Sequence, residues 1–526
     1  MFRPAHLSAG FARRTSPGYP TKCDREAVIA FPRERSGLRT MATFYIEQFG
    51  CRATQADAAA IARQLCEQGC SPAADAAAAV VIVNTCTVTA AADAQARDAI
   101  RSIHRRNPAA RIIVTGCYAQ RAPEDLAALP GVHWVVGNSH KPEIPRLAAS
   151  LASAPQPPAA APACDGAFLP LAQLLPQPPA HSPAQILTGS ILDESGMLVA
   201  PVFGGEPGPD GSGAGHTRPI LKIQDGCNSR CSFCVIPFVR GRSRSLPPAA
   251  VLEEIRKLAA AGYREVVLSG INLGAYGRDL SPRVEFLGLL RQILSATPLE
   301  RLRVSSIEPL DVTEELIALV ASTARLAQHF HIPLQSGSDR ILAAMHRWYR
   351  AEHYAMRVRR IHERLPHAAL GADVITGFPG ETQDDHAATL AFLRGLPFTY
   401  LHVFSYSPRP GTHAAALPGH VPAAVIKRRA RELRALGEEK AAAFRRFQLG
   451  RALRVLTLHR AEDAAPGATP AISTNYLRVR VPGDWPSNHW LDVRIMSEEG
   501  NCLLAETVGK PASAASYPSK ITCASA

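Results

Sequence analysis

The strongest constraint on the fold of this chain is a run of three closely spaced cysteines. Cys227, Cys231 and Cys234 form a C-x3-C-x2-C array that directly follows the apolar run 220–223. The apolar run predicts a short strand, which places the array on the loop that leaves it. Cysteine thiolates are the usual ligands of iron–sulfur clusters, and three of them leave one iron of a four-iron cube open. An open metal position is typical of a catalytic site rather than a closed structural one.

Zinc is the main alternative for this array. Structural zinc sites usually combine two pairs of cysteine or histidine ligands, and the sequence around the array offers no obvious fourth ligand. The other alternative is that the three cysteines are adjacent by chance. The spacing favours a cluster over both alternatives.

A second set of three cysteines ends three apolar runs in the first part of the chain. Cys51, Cys86 and Cys117 each follow a strand-like run, and the helix-like segments 57–68 and 90–106 lie between those runs. This βαβαβ pattern predicts a parallel sheet covered by helices. Because ligands of open α/β sheets bind at the carboxyl ends of the strands, the three thiols should gather at one edge.

Cysteine is also a common small buried residue. Burial explains Cys66 and Cys70, which lie at or just after the end of a predicted helix. It explains poorly why three cysteines each end an apolar strand. We therefore predict that Cys51, Cys86 and Cys117 converge on a second cluster.

Residues 217–412 return to alternating strands and helices. Six strand-like runs at this chain length predict an open, partial (β/α)6 barrel rather than a closed barrel of eight strands. The six runs are 220–223, 265–268, 302–305, 330–334, 372–375 and 401–404. Active residues of such barrels lie at the carboxyl ends of the strands.

Small and polar residues follow several of these strands. Glycine allows close approach of a ligand to the backbone, and Glu or Gln can bond an amino group or ribose hydroxyls. The candidate cofactor-binding residues are Ser269, Gly270, Ser306, Glu308, Gln335 and Gly377. Each one alone could be an ordinary turn or cap residue. Their shared position at one rim favours binding.

An excess of basic residues indicates a polyanionic partner. The net charge is +13, and nucleic acid is the first candidate for such a partner. The 12 cysteines are irregularly spaced, unlike those of a secreted disulfide scaffold. No run of about 18 apolar residues predicts a membrane-spanning helix. We therefore expect a soluble cytoplasmic protein with no membrane contact.

Two basic elements follow the predicted barrel. Residues 425–451 predict a helix with nine Lys/Arg against three acids, which a solvated surface helix would also explain. Residues 450–510 contain short apolar runs between turn residues, which predicts a small β-barrel or sandwich. A structural barrel and a nucleic-acid-binding barrel fit this composition equally. The candidate nucleic-acid contacts are Tyr476, Arg478, Arg480 and Trp490.

Changes in composition divide the chain into six segments. Stretches rich in Pro, Ala and Gly cannot bury enough apolar surface to order themselves, although the apolar piece 185–198 could pack against another part. Cys164, Cys502 and Cys523 receive no role. The segments are a disordered or mis-started tail at 1–40, an α/β domain at 41–150, a linker at 151–212, the barrel core at 213–445, the small barrel at 446–511 and a disordered tail at 512–526.

Several motifs together resemble the radical S-adenosylmethionine methylthiotransferase family, over about 41–141 and 217–510. One departure is Thr54, where the family has Asn after its first cysteine. The motifs are the cysteine array within 220–245, Gly50-Cys51, Asn84-Thr85-Cys86-Thr87-Val88, Thr115-Gly116-Cys117 and Gly377-Phe378-Pro379-Gly380-Glu381-Thr382.

The resemblance implies two [4Fe–4S] clusters and S-adenosylmethionine as cofactors. The C-x3-C-x2-C array would hold the cluster whose open iron binds S-adenosylmethionine. The three strand-end cysteines would hold an auxiliary cluster. The C-terminal stretch would be a TRAM module that binds tRNA.

The resemblance also suggests a substrate. The run 270–279 resembles the branch that adds a methylthio group to C2 of N6-threonylcarbamoyladenosine next to the tRNA anticodon, using two S-adenosylmethionine molecules and a 5′-deoxyadenosyl radical. Arginines near the array could bind the threonylcarbamoyl carboxylate or tRNA phosphates. The candidate arginines are Arg240, Arg242, Arg244 and Arg278.

Three other functions stay open at this point. The chain could act on isopentenyladenosine in tRNA, act on an aspartate of a ribosomal protein, or be a non-catalytic iron–sulfur RNA-binding protein. The partners implied by the resemblance are tRNA at its anticodon region, a reduced electron donor and a sulfur donor. We expect a monomer.

Overall fold

The structure is a computed structural model. It describes residues 42–153, 184–194, 196–198, 217–459 and 467–508. Both predicted tails, most of the predicted linker and the residues Cys164 and Cys523 lie outside the described residues. None of the described helices is long and apolar enough to cross a bilayer.

The N-terminal domain is a six-stranded parallel sheet with the strand order β2-β1-β3-β4-β5-β6. Helices cover both faces, so a central strand such as Val80–Thr85 is buried along its whole length. This confirms the predicted parallel α/β domain. The strands are β1 (Thr43–Gln48), β2 (Ser71–Pro72), β3 (Val80–Thr85), β4 (Arg111–Gly116), β5 (Val132–Val136) and β6 (Gln185–Leu187). The helices are α1 (Arg52–Glu67), α2 (Ala90–Arg106), α3 (Cys117–Arg121), α4 (Pro123–Ala127) and α5 (Ile144–Ser153).

The sixth strand comes from the apolar piece 185–198 within the predicted linker. Gln185–Leu187 pairs in parallel with β5, with Trp134 opposite Gln185. A short apolar segment can add to the open edge of a sheet because that edge presents unpaired backbone groups. The sequence alone could not assign this pairing because three residues carry too little periodicity.

The central domain contains six parallel strands in two groups, ordered β11-β10-β7 and β12-β13-β14. The Ile307 N–H donates to the His331 carbonyl at 3.0 Å and joins the groups. This confirms the open partial barrel, with each strand at a predicted run. The six strands are β7 (Ile220–Lys222), β10 (Glu265–Ser269), β11 (Arg301–Val304), β12 (His329–His331), β13 (Ala369–Thr376) and β14 (Tyr400–Ser405).

A two-stranded antiparallel sheet brackets the cysteine array. Gln224 pairs with Ser245, and Asp225 pairs with Arg244. These strands are β8 (Gln224–Asp225) and β9 (Arg244–Ser245). The helices of this domain are α6 (Ile236–Arg240), α7 (Pro248–Ala260), α8 (Phe286–Ala296), α9 (Glu314–Ser322), α10 (Asp339–Ala344), α11 (Ala351–Arg364), α12 (Gln383–Arg394) and α13 (Ala423–Arg446).

The basic helix α13 is only partly a solvated surface helix. Its Arg429 is buried and donates to the Glu381 carboxylate at 2.7 Å, which fastens α13 to the loop after β13. Its Arg445 bonds Glu498 of the C-terminal domain at 2.6 Å. Two of its arginines are therefore committed to intramolecular contacts.

The C-terminal domain is a closed five-stranded barrel, which confirms the predicted small β-barrel. Glu265 on β10 binds Arg303, which in turn donates to the Ser473 and Thr474 carbonyls of the small barrel at 3.2 Å each. This contact anchors the small barrel on the core. The strands are β15 (Ala452–Thr457), β16 (Ala468–Ser473), β17 (Arg478–Pro482), β18 (Trp490–Glu499) and β19 (Cys502–Thr507). Sequence analysis missed β16, whose Pro and small residues carry a weak strand signal.

Candidate active site

The three strand-end cysteines of the N-terminal domain lie close together. Cys51 precedes α1, Cys86 follows β3, and Cys117 begins α3 directly after β4. Burial, together with the neighbouring Cys117 and Cys51 thiols, raises the pKa of the Cys86 thiol to about 12. The topology therefore brings together three thiols that are far apart in sequence. We call Cys51, Cys86 and Cys117 the auxiliary triad.

Two glycines make this approach possible. Gly50 has φ +100°, and a Cβ there would lie 2.4 Å from the Cys86 Cβ and 2.8 Å from its Sγ. Gly116 has φ +101°, and a Cβ there would lie 2.3 Å from the Thr85 carbonyl oxygen. Both positions need a residue without a side chain, because positive φ and close contact each exclude a Cβ.

We expect Gly50→Ala to disrupt the auxiliary triad. Backbone strain should lower the free energy of unfolding by about 1–3 kcal/mol, and the clash with Cys86 should lower iron bound per chain. Thermal unfolding and iron analysis of the reconstituted protein would measure both effects. The control is Gly288→Ala within α8, where an added Cβ meets nothing within 4 Å. Equal iron content in both variants would contradict the prediction.

Thr54 stands where the resembling family has Asn. Its hydroxyl donates to the Cys51 carbonyl at 2.6 Å and lies 2.9 Å from the Phe49 carbonyl. The Asn84 side chain donates to the Thr54 carbonyl at 2.7 Å. The threonine therefore fastens the loop that carries Cys51 through backbone contacts.

The C-x3-C-x2-C array forms a compact turn, whose cysteines we call the radical triad. The Cys234 N–H donates to the Cys231 carbonyl at 3.1 Å, and the Cys227 N–H donates to the Gly241 carbonyl at 3.0 Å. Burial, together with the neighbouring Cys231 and Cys227 thiols, raises the pKa of the Cys234 thiol to about 12. The three thiols are therefore near enough to interact electrostatically.

The spacing of the thiols bears on the choice between zinc and a cluster. Among the described residues, only His331, Asp373 and His402 bring three metal-ligand atoms within 4.8 Å of one another. The thiols of each cysteine triad are therefore spread more widely than this. A single zinc ion, with Zn–S bonds of about 2.3 Å, needs closer thiols. An all-thiol donor set spread over a wider space fits an iron–sulfur cluster.

Arg347 contacts the radical triad and was missed by sequence analysis. Its Nη1 donates to the Cys231 Sγ at 3.4 Å, and its guanidinium also binds the Glu308 carboxylate. Burial raises the pKa of Cys231, whereas Arg347 lowers it, so this cation favours the thiolate. An isolated arginine has no motif that could have predicted this contact.

The predicted cofactor-binding residues have different environments. Gln335 has φ +71° and is mostly buried at the end of β12. Glu308 is bound by Arg347. The Gly377 N–H donates to Glu381 at 2.6 Å, so it is not free to donate to a ligand. Ser269 is buried, and a Cβ on Gly270 would lie 2.8 Å from Leu273. Ser306 is partly buried. Their role as cofactor contacts stays a prediction.

A short helix connects the two triads. Helix α6 begins two residues after Cys234, and Val235 and Val239 pack against Cys117 in one apolar cluster. Asn138 secures this contact, because its Nδ2 donates to the Val239 carbonyl at 2.7 Å and lies 3.6 Å from the Cys117 Sγ. The radical triad and the auxiliary triad therefore share a packed wall.

One cavity of about 200 Å³ touches the surroundings of both triads. Val88 and Thr89 reach it from just beyond Cys86, whereas Phe233 and Cys234 belong to the radical triad. The barrel contributes polar and apolar groups from the ends of β12, β13 and β14. The remaining lining residues are Val235, Ile236, Gln335, Asp373, Ile375, Phe404, Ser405, Tyr406, Ser407 and Arg409.

Asp373 belongs to a polar cluster on the inner face of the barrel. Its Oδ1 accepts from the His331 Nε2 at 2.9 Å and from the His402 Nδ1 at 3.2 Å. Burial raises the pKa of Asp373, but these two bonds dominate and hold it well below its usual range. The cavity therefore has an ionised carboxylate in its wall.

One predicted substrate contact is wrong, and two predicted nucleic-acid contacts lie against the core. Arg240 is only 2% exposed and binds Asp225 and Asp57, so it cannot reach a substrate carboxylate. Tyr476 stacks on His329, with ring centroids 4.5 Å apart. Trp490 lies under Arg301 at 4.1 Å. Through these contacts, both aromatic residues join the small barrel to the core.

The other predicted contacts are arginines that are exposed or partly exposed. Arg278 is exposed and pairs with Asp311 at 2.6 Å, and Arg244 donates to the Glu194 carbonyl at 3.0 Å. Arg242 is exposed. On the small barrel, Arg478 is exposed and Arg480 pairs with Glu499 at 3.0 Å. These residues stay candidates for contact with a polyanion.

Comparisons with known proteins identify the family. Residues 43–137 match the family model described as Uncharacterized protein family UPF0004, and residues 221–393 match the Radical SAM superfamily. The threonylcarbamoyladenosine tRNA methylthiotransferase MtaB of Aquifex aeolicus is 35% identical over 416 residues, which cover 78% of this chain and 92% of that protein. The MtaB of Bacillus subtilis is 35% identical over 403 residues, which cover 76% of this chain and 81% of that protein.

A relative that is named for a different substrate has the same sequence identity to this chain. The tRNA-2-methylthio-N6-dimethylallyladenosine synthase of Syntrophobacter fumaroxidans is 35% identical over 397 residues, which cover 74% of this chain and 79% of that protein. The radical S-adenosylmethionine methyltransferase TsrM of Kitasatospora setae matches in fold, with a TM-score of 0.50 and 18% identity over 72% of this chain and 74% of that chain. The chain, with its two gathered cysteine triads, belongs to the radical S-adenosylmethionine methylthiotransferase family.

Proposed function

We propose that this enzyme adds a methylthio group to C2 of N6-threonylcarbamoyladenosine next to the anticodon of tRNA. The single observation that carries the proposal is the cavity of about 200 Å³ that touches the surroundings of both cysteine triads. A reaction that combines a radical step with transfer of a sulfur group needs both centres near one substrate atom. The cavity supplies one such space.

The cofactors are [4Fe–4S] clusters and S-adenosylmethionine, consistent with the Radical SAM match over residues 221–393. We assign Cys227, Cys231 and Cys234 to the cluster that binds S-adenosylmethionine, and the auxiliary triad to the second cluster. When bound there, the first cluster would supply one electron for reductive cleavage of S-adenosylmethionine, and a second S-adenosylmethionine would supply the methyl group.

The residues around the cavity orient the substrate and exclude water. Phe233, Ile375 and Phe404 give the cavity an apolar wall, which can pack against a flat base. Arg347 keeps a positive charge beside Cys231. Gln335 offers an amide that can donate and accept hydrogen bonds at the end of β12.

The polar cluster favours threonylcarbamoyladenosine over isopentenyladenosine. Asp373 lines the cavity and can accept from the ureido N–H or hydroxyl group of a threonylcarbamoyl substituent, whereas an isopentenyl group has no polar atoms to meet it. The similar relatives include enzymes named for each substrate, so the choice rests on this chemistry and on the motif at 270–279.

We further propose a separate role for each of the three domains. The N-terminal α/β domain carries the auxiliary cluster, the partial barrel carries the radical chemistry, and the small barrel acts as a TRAM-like module that binds tRNA in the cytoplasm. Exposed Arg478 and the pair Arg480–Glu499 lie on the surface of the small barrel. Phosphate contacts by such arginines would make tRNA binding salt-dependent.

The test is mass spectrometry of tRNA nucleosides from a strain that lacks this chain, with and without complementation. We expect loss of 2-methylthio-N6-threonylcarbamoyladenosine, accumulation of the form without methylthio, and restoration by the intact chain. Loss of the 2-methylthio isopentenyl nucleoside instead would assign that substrate. Unchanged tRNA with methylthio lost from a ribosomal-protein aspartate would overturn the tRNA assignment.

A further inference from the structure

A buried ion-pair network lies between the N-terminal domain and the barrel. Asp57 of α1 accepts from Lys141 at 2.7 Å and from Arg240 at 3.0 Å, and it also contacts Lys222. Asp225 accepts from both Lys222, at 2.8 Å, and Arg240, at 3.0 Å. All five residues are at most 6% exposed. We call this group the charge pentad.

The charge pentad has an excess of positive charge. Two carboxylates face three cations, which leaves one unit of positive charge away from water. At its edge, Arg244 and Glu194 contribute one charge of each sign and leave the balance unchanged. Burial of an uncompensated charge is expensive, so the surplus implies a further anion nearby.

The auxiliary triad would be the anionic centre next to the pentad when it holds a cluster. Burial lowers the pKa of Arg240, but Asp225, Cys117, Asp57 and Cys51 together raise it above its ordinary value. Arg240 also lies near the triad in the fold, because it ends helix α6 and the preceding residue Val239 packs against Cys117. A four-iron cluster held by three thiolates is anionic in its oxidised state, because the thiolate charges exceed that of the inorganic core.

Arg240 also has a donor with no partner. Its Nη1 and Nη2 bond Asp225 and Asp57, whereas its Nε is buried and has no hydrogen-bond partner among the residues that the structure describes. A buried N–H without an acceptor is rare because it costs free energy. An acceptor supplied by a bound group would remove that cost.

We propose that Arg240 is a positioning residue for the auxiliary cluster, where its Nε–H donates to cluster or thiolate sulfur and its charge balances the cluster. This inference rests on the proposed assignment of that cluster to Cys51, Cys86 and Cys117. Hydrogen bonds to sulfur and nearby positive charge raise the reduction potential of an iron–sulfur cluster. Arg240 therefore stabilises the reduced, more negative form.

The test measures the midpoint potential of the auxiliary cluster alone. All variants are made in full-length chains with Cys227, Cys231 and Cys234 replaced by alanine, reconstituted anaerobically, and titrated by electron paramagnetic resonance. We expect Arg240→Gln to lower the reduction equilibrium constant at least about tenfold, which is about 59 mV for one electron. Arg240→Lys keeps the charge and should recover part of this loss.

Arg303→Gln is the matched control, because Arg303 is fully buried and ion-paired to Glu265 at the small-barrel interface. It should leave the potential unchanged. If Arg240→Gln does not fold, Lys141→Met removes the same surplus charge by a second route and should also lower the potential. Folded, iron-loaded Arg240→Gln or Lys141→Met with an unchanged potential would overturn the inference. Absence of iron from the parent chain would instead overturn the proposed cluster assignment.

Discussion

We expect the Cys51→Ala variant to release 5′-deoxyadenosine but form no methylthio product. Cys51 lies outside the radical triad, which keeps its own turn through the bonds of Cys234 to Cys231 and of Cys227 to Gly241. Removal of one thiol from the auxiliary triad leaves two ligands, too few to hold a cube with one open iron. The expected effect is complete loss of product. Chromatography of 5′-deoxyadenosine and mass spectrometry of the RNA measure the two outcomes separately.

Cys66→Ala is the control for this prediction. Cys66 is an exposed cysteine on α1 in the same domain. It should keep both the iron content and the product yield. Full product from Cys51→Ala would refute the auxiliary assignment, whereas loss of 5′-deoxyadenosine would show that the two triads do not act separately.

Cys231→Ala should abolish both 5′-deoxyadenosine and methylthio product. Cys231 is the middle cysteine of the array, and its Sγ accepts a hydrogen bond from the Arg347 Nη1 at 3.4 Å. Its loss should remove the site that binds S-adenosylmethionine and leave about half of the iron on the auxiliary triad. Iron analysis and product chromatography measure this directly.

The comparison for Cys231→Ala is Cys502→Ala on the small barrel, which should retain iron and both products. Cys502 is a partly buried free cysteine on β19. Release of 5′-deoxyadenosine from Cys231→Ala at the rate of the intact enzyme would disprove the assignment of the radical triad.

The sequence was informative where chemistry or periodicity is local. The array at Cys227–Cys234 and the apolar strands that end in Cys86 and Cys117 carry their signals within about ten residues. The parallel topology then brings the strand ends together, because every crossover returns the chain to the same edge. The sheet and the partial barrel were therefore predictable.

Contacts between domains were not predictable. Asp57 and Lys222 are far apart in the chain, and neither has a motif that announces their ion pair. Arg240 was a candidate contact for a substrate carboxylate or a tRNA phosphate, but it is buried, and the sequence around it does not show this burial. Tyr476 was a candidate nucleic-acid contact, and its ring packs against His329. Such assignments depend on which surfaces meet in three dimensions.

The shared wall at α6 limits how this enzyme can evolve. Ile236–Arg240 leaves the turn of the radical triad and reaches Cys117 of the auxiliary triad within five residues. An inserted or deleted residue there would rotate the helix by about 100° and misalign both centres at once. Insertions and deletions should therefore occur in other connections. The number of residues in α6 should stay constant because it sets the distance between two reactive cofactors.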